Sequence, residues 1–179
     1  MPVTNSIAVE ENVFSKLQIK ETILLLSLSV VFPFLIHLVP ELNGVPMGAI
    51  LLAMFFAPLI AARFFKFHVG LSIAFLSPLI NFMITGNPKA ILLPVMILQL
   101  ITFVISLKLL DKIRSARPVS SLFSYIFSVF VSAIFILSIP GILPDSAPKL
   151  FLITSLLNAL PGIALLVAVD FVIRKLKND

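Results

Sequence analysis

The side chains that could do chemistry in this chain are mostly neutral hydrogen-bonding groups, amides above all. An amide offers donors and an acceptor but neither carries a charge nor attacks a substrate, so its chemistry is the recognition of a polar solute. The candidate solute-binding residues are His37, Asn43, Asn81, Thr85, Asn87, Gln99 and Asn158. Two alternatives stay open: Asn81 and Asn158 could join helices to one another, and His37 could lie at a membrane–water interface.

Reactive chemistry is missing from the sequence. Cysteine is absent, which excludes disulfides, thiolate-bound metals and cysteine nucleophiles. Neither a GxxxxGK[ST] phosphate loop nor a GxSxG nucleophile elbow occurs. The two histidines, His37 and His68, belong to opposite ends of apolar segments and could not grip one haem. The sequence therefore predicts a protein that is not an enzyme and holds no cofactor or metal.

The composition indicates that the helices carrying these residues lie in a lipid membrane. Of 179 residues 60% are hydrophobic and 12% are charged, whereas soluble domains carry about a quarter charged residues. Unbroken apolar runs predict an all-α integral membrane bundle of six transmembrane helices. Their predicted ranges are 22–39, 46–65, 67–86, 90–110, 119–140 and 149–173. The transmembrane domain is predicted over 21–175, between an N-terminal segment (1–20) and a short tail (176–179).

Lysine and arginine fix the predicted orientation of the bundle. Alternate connections carry eleven basic residues on one side and two on the other, and the richer side of a membrane protein is normally cytoplasmic. Both termini are then cytoplasmic. The net charge of +5 is a topology signal beside anionic lipid headgroups, and no basic surface remains for nucleic acid.

Depth along the helices separates the polar residues. Gln99 and Asn158 fall about 13 Å inside the predicted outer boundary at ~1.5 Å per helical residue, and most prolines share that half, which predicts a pocket opening outward. Asp170 stands four residues before Arg174, so an ion pair along one helix is the simpler interpretation. Tyr125 is interpreted as an interfacial anchor.

Small residues recur at every fourth position in two of the predicted helices. Ala53, Ala57 and Ala61 form one ladder, and a second is formed by Ser120, Ser124, Ser128 and Ser132. Ladders of this kind let helices approach closely in lipid. Packing inside the chain's own bundle is the favoured interpretation, and docking onto another membrane subunit is the alternative.

A series of short motifs over about 130 residues resembles the substrate-binding S component of energy-coupling factor (ECF) transporters. The series comprises His37 to Gly44, Ala57-Pro58, Ser77-Pro78, Thr85 to Pro88, Pro94 to Met96 with Gln99, and Pro161-Gly162. The resemblance implies a binding subunit in a prokaryotic cytoplasmic membrane that captures a small, vitamin-like metabolite from outside. It also implies partners, namely a transmembrane T component and two ABC ATPases that drive uptake.

Within that resemblance, Gln99 occupies a family position that is often acidic, and Asn158 lies on a helix that commonly lines the pocket. The AxxxA docking motif usual in the family's first helix is absent. Ser27 and the Ala53, Ala57 and Ala61 ladder are the substitutes expected to meet the T component. The alternative function is a six-helix membrane scaffold of the rod-shape-determining MreD type, which would bind proteins rather than a solute.

Overall fold

The computed structural model describes residues 4–42, 44–139 and 147–178, and within these ranges the chain is helical apart from its connections. The helices are α1 Thr4–His37, α2 Met47–Ile50, α3 Phe56–Phe64, α4 Phe67–Thr85, α5 Leu93–Leu110, α6 Ser120–Ser138, α7 Ala147–Ile153 and α8 Leu160–Asn178. Short 3-10 turns precede α3, α5 and α6, and a π-helical segment, Thr154–Asn158, joins α7 to α8. The all-α prediction is confirmed.

Four helical stretches are long and apolar enough to cross a membrane: Ile19–Ile36 within α1, Phe67–Thr85, Ala90–Leu110 and Arg117–Ser138. The bent pair α7–α8 passes the same test as a single interrupted span, which makes five. The protein is therefore membrane-embedded. The first helix is also longer than predicted, since α1 begins at Thr4 rather than near residue 22.

The second predicted helix, 46–65, is not continuous. Its first turn, α2, ends where Leu52 adopts the left-handed conformation at φ +54°, and a 3-10 turn then leads into α3. The longest apolar piece, Ala53–Phe64, is about 18 Å long at ~1.5 Å per residue and is too short to cross the hydrocarbon layer alone. Neither Gly nor Pro marks the break at Leu52, so the residue types gave no signal of it.

The sixth predicted helix, 149–173, is also interrupted. Its two parts, Pro148–Asn158 and Leu160–Leu176, meet at an angle of 55°. Pro161 stands just after the junction, and a proline inside a helix removes the N–H that would pair with the carbonyl four residues earlier, here that of Leu157. The π-helical segment lies directly before this bend, in the turn that loses its regular hydrogen bonds.

The helix ends sort into two groups. α3 and α5 finish, and α6 begins, at the same end of the bundle, where Arg63, Asp111 and Ser120 are in hydrogen-bond contact. We call this the basic end, and the end that carries Pro88 the opposite end. Between them lies a core in which Leu59, Leu100 and Leu166 are completely buried.

Candidate functional site

The breaks in the second and sixth predicted helices lie against each other. A Cβ atom added at Gly162, near the start of α8, would stand 2.5 Å from the carbonyl oxygen of Ile50 and 2.6 Å from the carbonyl carbon of Leu51. Only glycine permits this approach. Irregular backbone at membrane depth occurs where protein covers it or where it lines a cavity, and discontinuous helices commonly form solute sites in membrane proteins. This junction is the candidate site.

An aromatic cluster lies beside the junction. The ring of Phe55 meets those of Phe103 and Tyr125 edge to face, with centroids 5.2 and 5.1 Å apart. The Tyr125 hydroxyl donates a hydrogen bond of 2.6 Å to the carbonyl of Ser155 in the π-helical segment. The aromatic cluster of Phe55, Phe103 and Tyr125 thus connects α5 and α6 to both helix breaks and holds the interrupted backbone in place.

The interpretation of Tyr125 as an interfacial anchor is wrong. Its side chain is fully buried, whereas an anchoring tyrosine must reach the headgroup region. The freed backbone of the π-helical segment explains the difference, because the Ser155 carbonyl offers the phenol a partner inside the bundle.

Gln99 is the predicted site residue with the most informative surroundings. It is only 3% exposed, and its amide makes no hydrogen bond to any residue that the structure describes. It lies one turn from Phe103 on the same buried face of α5, on the side away from the basic end. A ligand carrying matching polar groups would supply the hydrogen bonds that this amide does not make with the described residues.

The remaining predicted site residues divide into three groups. Asn81, Thr85 and Asn87 form a chain at the end of α4, in which the Asn87 N–H donates to the Thr85 hydroxyl and that hydroxyl donates to the Asn81 carbonyl. Asn158 ends the π-helical segment and is exposed. Asn43 and the side chain of His37 lie outside the described residues. None of the described members is hydrogen-bonded to Gln99.

Asn81 is committed to contacts between helices, the alternative left open by the sequence. It is 1% exposed, and its amide nitrogen donates to the carbonyls of Ser29 and Ser77 at 2.8 and 2.9 Å. Pro33 explains the first contact: in a regular helix the Ser29 carbonyl pairs with the N–H of residue 33, and proline has none. Asn81 therefore satisfies the carbonyl that Pro33 leaves free.

We expect Asn81→Leu to lower the free energy of unfolding by about 1–2 kcal/mol, because a buried carbonyl then lacks a partner. In a Pro33→Ala background the new N–H can pair with the Ser29 carbonyl, so the same change should cost less than half as much. Denaturant unfolding of the four proteins in detergent micelles measures this difference. Equal costs in both backgrounds would contradict the pairing of Asn81 with the carbonyl freed by Pro33.

The alanine ladder is buried in this structure. Ala53, Ala57 and Ala61 are 2%, 2% and 0% exposed, and the last two pack with Leu25 of α1 and Ile73 of α4. α1 and α4 cover Ala57 and Ala61, which favours packing inside the chain's own bundle, and the docking of this ladder onto a partner subunit stays a prediction. Ser27 is exposed on α1, where its hydroxyl donates to the carbonyl of Ile23, and its docking role stays a prediction.

A buried ion network occupies the basic end. Arg63 grips Asp170 with two hydrogen bonds of 2.6 and 2.9 Å and also pairs with Asp111. Arg174 bonds the same two carboxylates at 2.9 and 3.1 Å. The Ser120 hydroxyl accepts from both arginines and donates to Asp111. We call Arg63, Asp111, Ser120, Asp170 and Arg174 the basic-end network.

Only one contact of this network was expected from the sequence, the pairing of Asp170 with Arg174. The other members belong to separate helices, so their spacing along the chain carries no signal. The depth of these residues in the membrane is a usable signal. The charged members of the network all stand at the same end of their apolar runs, and opposite charges at equal depth in lipid are expected to pair.

No group of three or more His, Asp or Glu side chains suited to a metal ion occurs among the described residues. Comparison with known protein families, with curated proteins and with solved structures finds no match to this chain.

Proposed function

We propose that the chain is the substrate-specific binding subunit of an ECF-type importer in a prokaryotic cytoplasmic membrane. In this proposal it captures a small, polar, vitamin-like metabolite from outside, and a T component with two ABC ATPases drives uptake. The observation that carries the proposal is Gln99, a residue only 3% exposed in the membrane-embedded bundle, whose amide makes no hydrogen bond with the described residues.

The surroundings of Gln99 support a small ligand with a flat apolar body and polar edges. The aromatic cluster lies one turn from Gln99, and the two interrupted helices lie beside that cluster. Small-molecule sites combine these two features, apolar walls and a few placed polar groups. In the described ranges no charged residue other than those of the basic-end network is buried, which favours a neutral or weakly anionic ligand.

We expect Gln99→Leu to weaken ligand binding at least tenfold, the effect of losing about 1.4 kcal/mol of hydrogen bonding. Native mass spectrometry of protein purified in detergent tests this before the ligand is known, because a tightly held molecule adds its mass to the protein peak. The wild-type protein should retain a small molecule, and the Gln99→Leu variant should have lost most of it.

Ser138→Ala is the matched control, since this hydroxyl is exposed and bonds only within α6 to the Ile134 carbonyl. It should retain the ligand as the wild type does. Equal retention by Gln99→Leu would remove Gln99 from the site, and a wild-type protein that never carries a small molecule would count against the receptor function.

Pull-down from native membranes tests the proposed partners separately. Co-purification of a T component and ABC ATPases would support the importer. Recovery of cell-wall or cytoskeletal proteins in their place would support the scaffold function.

A further inference from the structure

The basic-end network joins parts of the chain that are far apart in sequence. Arg63 lies in the last turn of α3, Asp111 follows α5, Ser120 begins α6, and Asp170 and Arg174 belong to α8. Every contact between these helices within the network is a hydrogen bond between side chains. The network therefore ties four helices together at one end of the bundle.

Burial increases through the network from its rim to its centre. The side chains of Asp111 and Arg174 are 26% and 17% exposed, while those of Arg63 and Asp170 are 5% and 1% exposed. Water can reach the outer pair but scarcely reaches the inner one. Asp111 and Arg174 therefore cover the ion pair of Arg63 and Asp170. Because the surroundings of this inner pair have a low dielectric constant, its attraction is strong and its separation is costly.

The charges in the network balance. Two arginines face two aspartates, each arginine contacts both carboxylates, and Ser120 bridges the remaining donors and acceptors. A transported ion or a binding anion would have to displace an existing partner. The arrangement suits a fixed closure better than an ion-binding site.

We propose that the basic-end network is a lock that keeps this end of the bundle shut to water and solutes. The lock operates with or without a ligand, so any solute bound near Gln99 enters and leaves by another face. Loss of the Asp170 charge leaves two arginines facing the single carboxylate of Asp111 within the network. The excess positive charge then draws in water and separates α3 and α6 from α8. The inference does not rest on the proposed function, because closure is a property of the empty protein.

The chain contains no cysteine, so a single introduced thiol can report access. Ser124 is completely buried one turn from Ser120 on the same face of α6, and its hydroxyl has no hydrogen-bond partner. Ser124→Cys is therefore a mild change at the inner side of the lock. A membrane-impermeant methanethiosulfonate reagent, added to one face of proteoliposomes at a time, measures its reactivity without a ligand.

We expect the thiol at position 124 to be unreactive from either face in the otherwise wild-type protein. Adding Asp170→Asn should raise its reaction rate at least tenfold from the face that carries the basic end. Lys66→Cys, exposed between α3 and α4, identifies that face and should react readily in both backgrounds. Arg114→Gln removes an exposed charge from the same end and should leave the thiol protected.

Arg174→Gln provides a second, milder opening, because it removes the cover and leaves the pair of Arg63 with Asp170 in place. Arg174→Gln should raise the reaction rate of the thiol at position 124 about threefold. If Asp170→Asn fails to fold, this variant tests the lock in its place. Two results would overturn the lock. One is an unreactive thiol at position 124 in every variant that remains monodisperse. The other is a thiol at position 124 that, in the otherwise wild-type protein, reacts as fast as the thiol at position 66.

Discussion

Asp170→Leu is expected to lower the free energy of unfolding by about 3–5 kcal/mol, the largest effect of any single substitution proposed for this protein. The carboxylate is 1% exposed and accepts hydrogen bonds from both Arg63 and Arg174. Its removal leaves the guanidinium of Arg63 buried with a single remaining carboxylate partner, that of Asp111. Denaturant unfolding in detergent micelles, followed by circular dichroism, measures the loss.

Two further variants separate an unpaired charge from a lost contact. Asp111→Leu removes a carboxylate that is 26% exposed, so water can compensate and the cost should be only about 1–2 kcal/mol. Removing both buried charges in Arg63→Leu with Asp170→Leu should restore most of the lost stability, because apolar pairs often replace buried ion pairs without penalty. A double variant as unstable as Asp170→Leu alone would show that the cost has another origin.

Gly162→Ala is expected to destabilise the protein by about 2–3 kcal/mol, the upper part of the usual range for overpacking. Its new methyl group would stand 2.5–2.6 Å from backbone atoms of Ile50 and Leu51, and backbone cannot rotate away as a side chain does. α2 must therefore shift away from α8. If the junction of the two broken helices forms the solute site, the retained small molecule should be lost as well.

Gly70→Ala is the control for the glycine prediction, since it also lies inside an apolar helix. A Cβ atom there would approach the Val104 side chain at 3.2 Å, a contact that a small movement relieves. Alanine also favours helix by about 1 kcal/mol over glycine, so this variant should be close to neutral. Equal stability of Gly162→Ala and Gly70→Ala would show that α2 and α8 are not in close contact.

Helix content and membrane embedding could be predicted from the chain alone, because unbroken apolar runs leave backbone groups no partner except within a helix. The breaks were harder to predict. Pro161 gives a signal at the bend before α8, although the apolar run that predicts one helix over 149–173 continues through it. Leu52 gives none, since its left-handed backbone is held by packing around a buried apolar side chain.

The candidate site shows the same division. Gln99 could be chosen from the sequence because a lone amide deep in an apolar helix needs a partner. The sequence could not show that Asn81 donates to the Ser29 carbonyl freed by Pro33, because Asn81 and Ser29 lie on different helices. The same holds for Tyr125, whose partner exists only where the π-helical segment bends past α6.

By itself the sequence determined that this protein dissolves in lipid as helices and that few of the polar side chains in its apolar runs carry a charge. These properties follow from composition and from periodicity along one chain. Only the tertiary structure decided which polar groups satisfy each other. Asn81 donates a hydrogen bond to a backbone carbonyl of α1, and Arg63 pairs with Asp170. The amide of Gln99 makes no hydrogen bond with the described residues. The physical reason is that a hydrogen bond, including one that joins two ions, requires its atoms to lie about 3 Å apart, and contacts of that range between helices depend on how the helices pack.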